Sequence, residues 1–258
     1  MNKNISVLIG GVIVIGIIIA LDVIFNGVLT AGKGMPMTIN TISEATPLYK
    51  IQAEYPQFSS IDPAFSQKLD SFMKDQVATF KKDSQNNWDA RKATATPEFP
   101  VPENPEQPFD FIASWTPAQI NNKYISFVIN IYAFSGGANG REGIYSFNYD
   151  VVKKQVIDTK TFLNSSETVL QKISDLASQY VTSQLSTSGM QMDEVVTQMI
   201  KDGTAPTYDN FKTFTFNSNS VTFYFQKYQV APGADGSFNF VLFSQILKSN
   251  GINIGYLN

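Results

Sequence analysis

The residues able to do chemistry in this chain gather around a glycine hinge. Ser135-Gly136-Gly137-Ala138-Asn139-Gly140 brings backbone N–H groups to the surface, and Asn139 adds an amide that both donates and accepts hydrogen bonds. The hinge reads either as the edge of a binding site or as a hairpin turn whose glycines adopt positive φ without penalty. Arg141-Glu142 follows it directly and is a pair able to specify a partner; such surface pairs add only ~0–1 kcal/mol to stability. Tyr145, Tyr149, Tyr224 and Tyr228 offer ring faces that can stack on sugars, or pack in a core with hydroxyls at the rim. Gly136, Gly137, Asn139, Arg141, Glu142, Tyr145, Tyr149, Tyr224 and Tyr228 therefore form the candidate ligand-binding set. Glu142, Asp150 and Asp235 lie near predicted strand ends, but glycoside hydrolysis needs two acids ~5–10 Å apart and the sequence pairs none of them.

The missing residue types narrow the chemistry further. The chain has 258 residues with no His and no Cys. That excludes Ser-His-Asp and Cys-His nucleophiles, imidazole acid–base catalysis and ordinary zinc sites. No phosphate-binding glycine loop, dinucleotide fingerprint or calcium loop is present. No catalytic residue, metal ligand or cofactor is assigned. Net charge is −3 and pI about 5.0, and Lys81-Lys82 and Lys153-Lys154 are isolated pairs that read as solvated surface, so nucleic acid is not an expected partner. Apolar content of 43% against 16% charged predicts a globular body.

The elements that must position these residues follow from period and punctuation. Tyr49–Tyr55 alternates apolar and polar, which predicts a half-buried strand. Asp62-Pro63 predicts a helix start, Asp as N-cap and Pro at the first helical position. Phe65, Leu69, Phe72, Met73, Val77 and Phe80 then make one apolar stripe, with the helix ending near Asp83. Residues 84–108 carry Pro97, Pro100, Pro102, Pro105 and Pro108 and are expected to form an extended loop, a mobile connector or a binding element. Strands are predicted from Phe109 to Trp115, Tyr124 to Phe134 and Tyr145 to Val151, the last two paired across the hinge. Ser165 or Ser166 caps a helix carrying Leu170, Ile173, Ala177, Tyr180, Val181 and Leu185, and a shorter helix carries Met192 to Ile200. Strands at Phe211–Phe216, Val221–Val230 and Phe238–Phe243 close the order β-α-β-β-β-α-α-β-β-β. Irregular alternation predicts an α+β fold, helices on one face of an antiparallel sheet.

Ahead of this body, Ile5 to Leu21 runs without a charge. As a helix it spans ~25 Å, close to the ~30 Å hydrocarbon core. Asp22 is expected at the far interface. The run reads as a single N-terminal transmembrane helix, residues 5–25, or as a cleaved signal that would leave a secreted protein. Leu29-Thr30-Ala31 is a poor cleavage site, because Leu occupies a position that calls for a small residue. With the short tail 1–4 cytoplasmic, the body is expected outside the cytoplasm, beyond a tether over 26–46.

Several segments together resemble a known family. Tyr49-x-Ile51-x3-Tyr55-Pro56-Gln57, Asp62 and the helix through Phe80 resemble the start of PdaC/RsiV-like extracellular domains. Gly136-Gly137-Ala138-Asn139-Gly140 stands where that family has Gly-Gly-Ala-His, and Phe147-Asn148-Tyr149-Asp150 is similar to its Asn-Tyr-Asp strand. Phe223 to Gly236 resembles its closing strand and loop. The resemblance implies subdomains over 47–135 (PdaC-like) and 136–250 (RsiV-like). It implies a cell-envelope ligand, peptidoglycan or a lysozyme-like protein, bound without catalysis. Asn139 replaces the family's His, which removes any imidazole chemistry there. A carboxylate-dependent glycan hydrolase and a passive structural envelope protein remain the alternative readings.

Overall fold

The computed structural model describes residues 35–257, so the apolar run and its flanks lie outside the described residues. Pro36–Asn258 form one unit. Helix α1, Pro63–Ala93, starts where Asp62-Pro63 places it. Asp62 Oδ1 accepts from the backbone N–H of Ala64 at 2.8 Å and of Phe65 at 3.2 Å, satisfying two of the orphan donors of the first turn. Its buried stripe is Phe65, Leu69, Met73, Val77, Phe80, Ser84 and Trp88. The helix therefore continues past Asp83: Ser84 and Trp88 extend the stripe at the i+4 spacing set by Phe80. The loop is confined to residues 94–108, and Trp88 Nε1–H donates to the Glu103 carbonyl at 2.9 Å, tying the loop to the helix.

The stripe packs on a six-stranded sheet ordered β1-β2-β3-β4-β5-β6. The strands are β1 (Thr38–Ala45), β2 (Tyr49–Gln57), β3 (Phe109–Ile120), β4 (Tyr124–Phe134), β5 (Arg141–Asp150) and β6 (Gln155–Val156). All neighbours are antiparallel except β2 and β3. The expected antiparallel sheet is thus mixed. A long helix between β2 and β3 returns the chain to the same end of the sheet, and that connection makes a parallel pair. Strand β1 lies inside the segment expected to be tether; its Ile39 and Ile42 are three apart, so no period of two marks it. The sheet continues through β5 and β6, past the expected subdomain boundary at 135/136, because β5 pairs with β4.

A second sheet, β7 (Phe214–Phe216), β8 (Ser220–Phe225) and β9 (Phe238–Phe243), is antiparallel. One expected sheet is therefore two. Helix α2 (Thr159–Phe162) precedes α3 (Glu167–Thr187) and α4 (Glu194–Gly203), which are capped by Ser166 and Asp193. Leu170, Ile173, Ala177, Val181 and Leu185 of α3 join Phe223, Phe225, Phe240 and Leu242 in one core. Each such Leu, Ile, Val or Phe side chain contributes roughly 1.5–3 kcal/mol by leaving water. A short helix, α5 (Ser244–Ser249), follows β9, and a single turn, Gly255–Leu257, closes the order. The strand expected over Val221–Val230 ends at Phe225.

Side chains couple the two sheets. Residues Ile125 to Ile129 are all buried, so β4 is covered on both faces. Asn148 Nδ2–H donates to the Phe214 carbonyl at 2.7 Å, and Ser126 Oγ–H donates to Asn148 Oδ1 at 2.6 Å. Ser126 Oγ and Ser146 Oγ accept from the N–H groups of Phe216 and Phe214 at 2.9 and 3.0 Å. Gln226 does the same for β5: its Nε2–H donates to the Ile144 carbonyl at 2.6 Å, and its Oε1 accepts from the Ile144 N–H at 3.1 Å.

Candidate functional site

The β4–β5 hinge makes a small hollow of about 190 Å³, lined by Phe80, Asp83, Ala133, Ser135, Gly136, Asn139 and Arg141. Gly136 and Gly137 have φ of 101° and 102°, so the turn itself requires glycine. Gly136 also lies against Phe109, where a β-carbon would meet the ring at 3.3 Å. Asn87 Nδ2–H donates to the Ser135 carbonyl at 3.0 Å and ties the hinge to α1. Arg141 Nη1 stands 3.9 Å from Asp83 Oδ2, both half in water. Glu142 is exposed and pairs across the strands with Tyr132.

The tyrosines do not join this hollow. Tyr145 packs edge-on against Phe72 of α1 at 4.9 Å, and Tyr149 stacks on Phe65 at 4.4 Å. Tyr149 lies eight residues along β5 from Arg141, roughly 26 Å away. Its hydroxyl donates to Asp62, which holds the Asp62 carboxyl below its usual range; burial pushes the phenol up. Tyr224 is half-buried with its hydroxyl 3.0 Å from Thr215 Oγ1. Tyr228 sits in the turn after β8 at φ 69°, its ring over Gly233. Tyr145, Tyr149 and Tyr224 are packing residues. Glu142 and Asp150 stand at opposite ends of β5, again roughly 26 Å apart. Asp150 is committed elsewhere: its Oδ1 accepts from the N–H groups of Val152 at 3.1 Å and Lys153 at 2.9 Å.

A larger hollow, about 510 Å³, opens between the start of β4, the β5–β6 turn, α2 and residues 253–256, within the ~300–1,000 Å³ range of small-ligand clefts. Tyr124, Phe162 and Tyr256 give it an aromatic wall. Tyr256 stacks on Phe162 at 5.6 Å and meets Tyr124 edge-on at 5.4 Å. Gln155, Asn164 and Asn253 supply amides, Thr161 a hydroxyl and Lys153 an ammonium whose Nζ lies 5.8 Å from the centre of the Tyr256 ring. Flat rings beside amides suit a ligand with alternating C–H faces and hydroxyl edges.

The backbone around this hollow is strained. Among the described residues, the non-glycine residues at positive φ are Lys154, Asn164, Ser165 and Tyr228. Lys154, between Lys153 and Gln155, and Asn164-Ser165 border the hollow, and such conformations cost of order 1–3 kcal/mol each. Sequence reasoning missed this site. Lys153 reads as solvated charge, Tyr256 follows the last predicted strand, and the wall assembles from β4, α2 and the C-terminal turn Gly255–Leu257. Asn253 and Tyr256, beyond the last predicted strand, were the available signal.

Residues 42–142 match the family described as Deacetylase PdaC, and residues 160–242 match a family of unknown function, DUF3298. A deacetylase relative matches nearly the whole chain. Together these matches make the chain similar to PdaC-like proteins. That relative is the peptidoglycan-N-acetylmuramic acid deacetylase PdaC of Bacillus subtilis (strain 168), 24% identical over 257 residues, 95% of this chain. The chain spans 50% of the relative's length. Crystal structures of DUF3298 proteins share the fold. One from Pseudomonas aeruginosa PAO1 has a TM-score of 0.56 at 15% identity, covering 87% of this chain and 97% of that one. One from Bacteroides fragilis NCTC 9343 has a TM-score of 0.52 at 13% identity, covering 83% and 92%. In this PdaC-like chain the hinge lies inside the first family match. The large hollow takes Tyr124 from the first match, Phe162 and Asn164 from the second, and Lys153, Gln155, Asn253 and Tyr256 from outside both.

Proposed function

We propose that this protein is a membrane-anchored module outside the cytoplasm that binds cell-wall glycan without cleaving it, and that the Tyr124–Phe162–Tyr256 hollow is its binding site. The observation that carries the reading is that hollow: an aromatic wall, three amides and a hydroxyl converging in a cleft of ligand size. A peptidoglycan deacetylase among its relatives supports a glycan of the wall as the ligand. The separation of Glu142 from Asp150 supports binding over hydrolysis by that pair. The charge-free run Ile5–Leu21 supports the anchor. The test is co-sedimentation of the detergent-solubilised full chain with purified peptidoglycan sacculi. Wild type is expected to sediment, and Tyr256→Ala to lose at least tenfold in affinity. Equal sedimentation of the two refutes the site, and no sedimentation of wild type refutes the function. Fractionation with protease accessibility on intact cells tests anchor and orientation together.

A further inference from the structure

Resting on that reading, we infer that Lys153 makes the hollow select glycans bearing a carboxylate over neutral ones. The lysine belongs to the tight turn between β5 and β6, and Lys154 holds that turn at φ 54°. The turn sets the Lys153 ammonium over the Tyr256 ring, the surface on which a sugar would stack. Its nearest carboxylate, Asp150 Oδ2, stands 3.6 Å away, and the other Asp150 oxygen is held by two backbone N–H groups. Asp158, the next acid on the neighbouring segment, is spent on capping α2 through the Thr161 N–H at 2.7 Å. The side chain of Lys153 is 61% exposed and free to swing. It is thus a latch on the aromatic wall, loosely tied and with ammonium donors to spare.

The latch discriminates by what each ligand returns. A neutral sugar entering the hollow must displace the ammonium from Tyr256 and gives it no new partner. A sugar with a carboxylate displaces it too, but receives it as a charge-assisted partner at the rim. Rejection and attraction are combined in one residue, the usual route to specificity. The ligand class is therefore an acidic amino sugar or uronate, not a neutral homopolymer.

A matched pair of disaccharides isolates the carboxylate. N,N′-diacetylchitobiose is neutral; N-acetylglucosaminyl-N-acetylmuramic acid has the same linkage plus a lactyl carboxylate. Each is titrated calorimetrically into the detergent-solubilised full chain at 50 and 500 mM NaCl. Wild type is expected to prefer the acidic disaccharide about fivefold, ~1 kcal/mol, at low salt, with the preference shrinking at high salt. Lys153→Gln is expected to weaken the acidic ligand about fivefold and to tighten the neutral one, because the ring is no longer obstructed. Lys153→Arg keeps the charge and is expected to keep the preference. Equal wild-type affinity for both ligands, or a preference that survives in Lys153→Gln, overturns the role of Lys153 while leaving glycan binding in place. Binding of neither ligand overturns both. Should Lys153→Gln not fold, the salt dependence of wild type alone decides, since a preference indifferent to salt is not carried by this ammonium.

Discussion

Asn148→Ala should break the coupling between the two sheets. Asn148 is buried, with one hydrogen bond to each side: Ser126 Oγ–H donates to its Oδ1 at 2.6 Å, and its Nδ2–H donates to the Phe214 carbonyl at 2.7 Å. Alanine leaves a hydroxyl proton and a carbonyl oxygen without partners. Each buried orphan costs about 1–3 kcal/mol, so the expected loss is about 2–6 kcal/mol, a large share of the ~5–15 kcal/mol that holds a typical domain. Asn148→Asp sharpens the test. It keeps the shape but replaces the amide donor with a carboxylate facing the Phe214 carbonyl. Burial disfavours the charged form, so the folded-state pKa rises above the unfolded one. The variant should therefore be nearer wild type in acid, where the protonated carboxyl donates again, and lose stability as pH rises from its unfolded pKa of about 3.9 through the higher folded one. The assay is urea unfolding followed by Trp88 and Trp115 fluorescence and by far-ultraviolet circular dichroism. A loss under 1 kcal/mol in Asn148→Ala with unchanged m refutes the reasoning, as does an Asn148→Asp penalty that is the same in acid and at neutrality.

Other outcomes follow from the same structure. Gly203→Ala places a β-carbon 2.0 Å from the Gln229 carbonyl oxygen, backbone that cannot yield cheaply, so thermal unfolding should show a loss of at least ~2 kcal/mol. Trp88→Phe removes the donor to Glu103; limited proteolysis should cut within 94–108 faster, with the rest of the fold intact. Glu44, Asp62, Asp70 and Asp158 are held below their ordinary values, by hydrogen bonds from Lys81, Tyr149, Lys74 and the Thr161 backbone respectively. Depressed folded values mean a contribution present above the ordinary carboxylate values of 3.8–4.5 and lost as pH falls through the lower folded ones. A pH series of urea midpoints should decline in that acid window.

Sequence pattern reached those features that repeat locally. The stripe from Phe65 to Phe80, the Asp62-Pro63 start and the alternation over Tyr124–Phe134 each rest on one short segment, and each stands in the fold. β1 escaped because edge-strand side chains lie mostly toward water, and a half-exposed strand such as Thr38–Ala45 carries little apolar signal. The parallel pairing of β2 with β3 escaped because pairing direction is set by where α1 returns the chain. The hinge glycines were legible, since positive φ restricts residue type strongly. The tyrosine cluster was not, because alternation along β5 says which face Tyr145 and Tyr149 share but not that α1 covers that face. The large hollow depends on Tyr124 and Tyr256, far apart in the chain, meeting through the packing of Phe162 and Phe216.

Gln226 has a consequence for assembly. By gripping both backbone groups of Ile144, one side chain occupies the outer margin of β5 as a strand would. A bare margin there could template pairing with another molecule, the route by which sheets join into aggregates. β6 and Ile157 after it cover the same margin from Asn148 to Asp150, and the amide closes it further along at Ile144. Among the described residues the opposite margin, along β1, has no such plug. Growth of this sheet by an added strand is thereby steered to its β1 side.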